Sequence, residues 1–219
     1  MNINGITNSP VVVRQITSVA TLESGQRGMC NVPYVPVTAP PGEAARQAFY
    51  EYEEKPWLNE PDNEWGEFFY VTRKKLDELL QLGETQRMYD RFMGSLGDSH
   101  PAIANKPFGF TLGDDASIKI IDNGNSLTET DKQTLTGLIN NFETFQSRLQ
   151  GHAKTLMTLV DHDYESFGNR YRLDLGNFQN VIDFRGILSV GFNKMETEWV
   201  RQIEANAETR DRPYISVAV

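Results

Sequence analysis

The segment TETDKQTLTGLINNFETFQSRLQGHAKTLMTLVDHDY, residues 128–164, carries the strongest pattern in the chain. Leu135, Leu138, Phe142, Phe145, Leu149, His152, Leu156 and Leu159 follow one another at steps of 3, 4, 3, 4, 3, 4 and 3. That spacing is a heptad seam, because residues three and four apart share one face of a helix. Thr128 with Asp131 three residues on supplies the start, as a capping box with the shorter acid. The expectation is one continuous helix from Thr128 to about Tyr164, roughly 55 Å long at 1.5 Å per residue. Gly137 and Gly151 weaken it, with a kink possible at Gly151. The seam must be covered, either by the core of this chain or by a partner helix.

Working outward, Phe167-Gly168-Asn169 ends that helix, and Tyr171, Leu173 and Leu175 alternate with charged residues as a short extended segment. Val181, Leu188, Phe192, Met195, Trp199 and Ile203 share a second helical face, most secure over 193–209, with Pro213 as the stop. The two long helices are expected to pair antiparallel. Tyr214–Val219 is a short strand or a loose end.

Upstream, residues 72–96 read as helix from Leu76, Leu79 and Leu80 through Met88, Tyr89, Phe92, Met93 and Leu96, with a break at Gly83 and a loop over 94–106. A β-hairpin near 107–122 follows. Phe108, Phe110 and Leu112 alternate on one strand, Ile118 and Ile120 on the other, around Gly113-Asp-Asp-Ala116. The fold class is therefore α+β, predominantly helical, with a long antiparallel helical pair, additional helices and a β-hairpin.

Residues 1–42 differ from the rest. Met1 to Leu22 holds no acidic residue, and prolines at 33, 36, 40 and 41 block helix and central strand. They read as an extended or mobile arm, in which Pro10–Val13 could add an edge strand. Residues 43–219 read as a single helix-rich domain. Its first part, 43–67, holds eight acids against Arg46 and Lys55, and Glu43–Glu54 reads as a short helix stopped by Pro56. Trp57, Trp65, Phe68, Phe69 and Tyr70 follow, either as anchors for the core or as an acidic and aromatic patch that docks a basic partner.

A net charge of −9 and a pI near 4.9 argue against nucleic acid, whose phosphates need a cationic face. No apolar run reaches the ~20 residues of a bilayer span, so no membrane insertion is expected. Neither a Sec signal nor a mitochondrial leader is expected from the N-terminal composition. The arm has the loose composition of substrates of bacterial type III or flagellar secretion. The expected location is cytoplasmic, or outside the cell by a non-Sec route.

Candidate chemistry is sparse. Cys30 is alone and reads as a free thiol. His152 lies on the apolar seam as a core histidine, and His152→Leu is expected to leave folding intact. Asp161-His162-Asp163-Tyr164-Glu165 is the densest set of ligand types, with Asp161, His162 and Glu165 able to share a helix face, but no second histidine stands at i+4. Asp122-Asn-Gly-Asn-Ser126 fails the calcium-loop register and reads as a strand-to-helix turn. Arg73-Lys74-Lys75 is the only basic cluster and reads as a solvated face. No phosphate loop, dinucleotide fingerprint or nucleophile elbow is present, and no cofactor is expected. The expectation is a non-enzymatic bacterial protein-interaction module that binds a protein partner or self-associates, with Leu135, Leu138, Phe142, Phe145, Leu149, Leu156 and Leu159 as core or partner seam. A metal-dependent hydrolase using the Asp161–Glu165 cluster and an acidic chaperone or adaptor are the alternatives.

Overall fold

The computed structural model describes residues 48–60, 66–142 and 144–210. The expectations for the arm at 1–42, for Cys30, for Trp65 and for a strand at 214–219 lie outside these residues. Helix α1, Gly66–Ser99, is 34 residues long, about 50 Å. A one-turn α2, Pro101–Ala104, follows it. Strands β1, Gly109–Leu112, and β2, Ile118–Ile121, form the expected hairpin, with Gly109 opposite Ile121 and Leu112 opposite Ile118. Helices α3, Glu129–Asn140, and α4, Phe145–His162, occupy the heptad segment. Then come α5, Tyr164–Phe167, and β3, Tyr171–Arg172. After them come α6, Phe178–Val181, α7, Phe184–Ser189, α8, Met195–Asn206, and β4, Glu208–Thr209, which pairs antiparallel with β3.

The expected rod is two helices. Thr128 and Asp131 form a reciprocal capping box that starts α3. Asn140 ends it. Its carboxamide accepts from Ile118 N–H at 3.0 Å and donates to the Ile118 carbonyl at 3.1 Å, as a neighbouring strand would. Asn141 turns back onto the Gly137 carbonyl at 2.8 Å. The chain restarts as α4 at Phe145 and passes Gly151 without a break. The seam is interior along α4, where Phe145, Leu149, His152, Leu156 and Leu159 are all buried. In α3 the buried positions are Leu135 and Ile139, and Leu138 stands 37% exposed. Phe142 is partly buried, edge-on to Phe92 at 5.4 Å.

The long antiparallel pair is α1 with α4. Tyr70 meets His162 at one end and Tyr89 meets Phe145 at the other. The expected partner, the C-terminal helix, is α8, and it packs mainly on α6 and α7. The reason lies between 178 and 195. Asp183 accepts from Arg185 N–H at 3.0 Å and caps a new helix, so the apolar face from Val181 to Ile203 is cut into short pieces. Gly83 does not break α1. It admits Phe192, whose ring would stand 3.3 Å from a Cβ there. The expected helix over 43–54 is helical at Ala48 and Phe49, and Tyr50–Glu54 is not. The expected loop over 94–106 is helix through Ser99.

Phe110 of β1 is fully buried between Tyr89, Phe145 and Phe184, with ring centroids 5.2–6.3 Å away. This gives the hairpin the cover that a two-stranded ribbon needs. The turn closes through Ala116 at φ 59. Gly168, at φ 58, ends α5 in the left-handed conformation that glycine adopts without a Cβ penalty.

Candidate functional site

The inner edge of α1 carries a buried polar chain. Glu78, Thr85 and His152 are each at most 1% exposed. Thr85 Oγ1 donates to the Gln81 carbonyl at 3.0 Å, so it accepts from His152 Nε2–H at 2.8 Å. His152 Nδ1 lies 2.8 Å from Glu78 Oε1. With hydrogen on Nε2, one proton bridges that contact, as imidazolium to carboxylate or as carboxylic acid to imidazole. Glu78 Oε2 has no hydrogen-bond partner among the described residues. His152 is a core residue, as its place on the seam implies. It is also the partner of a buried acid. The expectation that His152→Leu is harmless therefore reverses, because the change strands Glu78 in the core.

The 161–165 cluster sits where α4 ends against the start of α1, and its members point to different neighbours. Asp161 accepts from Tyr50 Oη at 2.8 Å and from the Arg210 guanidinium. Burial, then Asp161 beside it, pushes the Tyr50 phenol up. His162 is buried among rings, stacked on Tyr52 at 5.6 Å and edge-on to Trp57 at 5.8 Å and Tyr70 at 6.4 Å. Burial holds its pKa below the ordinary imidazole value, against the pull of Asp161, Glu67 and Glu53. Asp163 is buried and accepts from Ser166 N–H at 3.1 Å. Lys75 Nζ lies 2.7 Å from Asp163 Oδ2, an ionic contact without hydrogen-bond alignment. Burial alone would raise the Asp163 carboxyl, but Lys75 and Ser166 outweigh it and hold it low. Glu165 is exposed and makes no ion pair with a described residue. Among the described residues no group of three or more His, Cys, Asp or Glu side chains is arranged to hold a metal ion. Asp122 accepts from Ser126 N–H at 2.9 Å and Leu127 N–H at 3.2 Å, as the strand-to-helix turn requires.

A polar groove of about 510 Å³ lies between α6, α7 and α8. Its acids are already engaged. Asp183 accepts from the Phe110 and Arg185 N–H groups, and burial still lifts its carboxyl above the usual range. Arg201 grips Glu198 through two nitrogens, at 2.9 and 2.6 Å, and holds it low.

The outer edge of α1 is the reverse of its inner edge. Phe68, Phe69, Leu76 and Leu80 are 69%, 51%, 56% and 55% exposed. Phe68, Leu76 and Leu80 fall at multiples of four and share one line with Thr72. Tyr164 and Phe192, also exposed, flank that line. At its N-terminal end a pocket of about 220 Å³ opens between Phe68, Val71, Tyr164 and His162. Sequence reasoning placed Leu76 and Leu80 on the core face. The core face instead runs through Tyr70, Val71, Glu78, Leu82, Thr85, Met88, Tyr89, Phe92 and Leu96. A wheel at 100° per residue separates the two sets, but it puts a glutamate on the buried one. Of the aromatic run, Tyr70 is buried, Trp57 partly buried, and Phe68 and Phe69 exposed.

Comparison of the chain with protein-family models, curated proteins and solved structures returned no match. Among the described residues no helix is long and apolar enough to cross a membrane.

Proposed function

We propose that this protein is a protein-docking module and that its docking face is the outer edge of α1. One observation carries the reading: four large apolar side chains stand more than half exposed on the outer edge of the longest helix, three of them on one line at steps of four or eight. Isolated exposed leucines need no explanation, but several large apolar side chains gathered on one edge do. Its length, from Phe68 to Leu80, is about three turns. That matches the footprint of an amphipathic helix laid across it with anchors at i, i+3 and i+7. The heptad seam does not serve this role, since along α4 it is filled by the rest of the chain.

The test is a peptide-display selection against the full chain. Selected peptides should carry apolar anchors at helical spacing. Their affinity should fall at least about tenfold for the Leu76→Gln, Leu80→Gln double variant, with the melting temperature unchanged. Binders indifferent to that variant, or no binders at all, overturn the reading.

A further inference from the structure

We propose that the pocket at the N-terminal end of the α1 stripe is a socket for a lysine or arginine side chain of the docked partner. The inference rests on the docking reading and specifies the chemistry of its main anchor. Three observations carry it. The first is size. About 220 Å³ is below the ~300–1,000 Å³ of small-molecule pockets, and it suits one long side chain.

The second is the wall. Phe68, Val71 and the Tyr164 ring offer apolar surface to a methylene stem, in the way lysine and arginine bury their stems and keep their heads polar.

The third is charge. Glu67 and Glu165 both line the pocket, and neither makes an ion pair with a described residue. The basic triplet that could have neutralised them is committed elsewhere. Arg73 lies 2.6 Å and Lys74 3.8 Å from Glu60. Lys75 does line the pocket, but its ammonium is held by Asp163 at 2.7 Å, Ser166 at 3.0 Å and Glu196 at 3.4 Å. The inner cation is thus neutralised by its own acids, and two carboxylates beside the apolar wall have no ion-pair partner among the described residues. An acidic side chain is repelled there. A neutral apolar one fills the wall and leaves the carboxylates without a counter-charge.

The experiment uses the full chain and the helical peptides selected on it, followed by fluorescence anisotropy. The peptides should share one lysine or arginine next to the apolar anchors. Replacing that residue by norleucine should weaken binding about tenfold, and replacing it by glutamate further still. The Glu67→Gln, Glu165→Gln double variant should remove the lysine–norleucine difference while the norleucine peptide binds as before. High salt should narrow the same gap, since Glu165 is exposed and Glu67 only half-buried.

If the selected peptides bind through the stripe but lack a basic position, or norleucine binds as tightly as lysine, the socket is overturned and the docking reading stands. If no peptide depends on Leu76 and Leu80, both fall. A concentration-dependent dimer that Leu76→Gln dissociates, and that the peptides cannot compete apart, gives the face to a second copy and overturns the socket.

Discussion

The two edges of α1 use similar residues to opposite ends. Leu82 and Leu80 are two positions apart, yet one is 1% exposed and the other 55%. The inner edge is closed by α4 and even buries a glutamate. The outer edge keeps leucine and phenylalanine in water. Apolar residues on a helix therefore do not by themselves say which edge is the core. What decides is the set of groups waiting on the neighbouring element, here His152 for Glu78 and Phe145 for Tyr89.

The comparison breaks most visibly at His152. His152→Leu removes the partner of a fully buried acid, and such losses cost about 3–5 kcal/mol. Urea unfolding should show a loss of that order. The Glu78→Leu, His152→Leu double variant should lose less than the single change, because no buried carboxyl group is then left without its partner. A single variant as stable as the parent would mean that Glu78 is not held by the imidazole.

The leucine pair is the next test. Leu82→Ala should cost about 2–5 kcal/mol, as buried leucine truncations do. Leu80→Ala should stay within about 0.5 kcal/mol, as surface substitutions do. Equal losses would show the outer edge to be covered within the free protein, and the docking face would go with it.

Gly109 probes the same core from β1. A Cβ there would stand 2.6 Å from Asp183 Oδ2, and the Asp183 carboxylate is fixed by the Phe110 and Arg185 amides. Gly109→Ala should cost about 1–3 kcal/mol through that overlap. An unchanged urea midpoint would mean that the carboxylate can move aside.

Much of this was legible beforehand, for local reasons. The hairpin was readable because its strands alternate at period two and its turn residues sit between them. The Thr128–Asp131 cap was readable because both partners lie within one turn. Burial of the α4 seam was readable from its spacing. What was not readable depends on contacts distant in sequence. Asn140 stops α3 by bonding to Ile118, 22 residues away. α4 takes α1 as its partner because Glu78 and Thr85, polar on paper, match His152 across 67 to 74 residues. The same distance hid the stripe, since Leu76 and Leu80 join the core pattern unless Glu78 is allowed inside. In the 161–165 cluster the residue types suggested a shared ligand. Asp161 and Asp163 instead engage different partners, Arg210 and Lys75.

The smallest effect concerns the point where both edges of α1 meet the end of α4. Asp163 is buried, faces Lys75 and caps α5, and these contacts hold its carboxyl below the ordinary value. A carboxyl whose pKa is lower in the folded than in the unfolded chain adds stability above its unfolded pKa. That stability is lost as pH falls through the folded value. The parent should therefore exceed Asp163→Asn in urea midpoint at neutral pH, and the gap should close below about pH 4, where the unfolded carboxyl protonates first. Asparagine keeps the cap to Ser166 but not the charge, so the part of the gap that depends on pH reports the Asp163 charge, held by Lys75 and by the charge-assisted bonds from Ser166. A gap that stays constant from pH 7 to pH 3 would mean that the Asp163 charge adds no stability and leaves Lys75 less well neutralised beside the neighbouring socket, which the peptide titrations would register as a weaker preference for lysine.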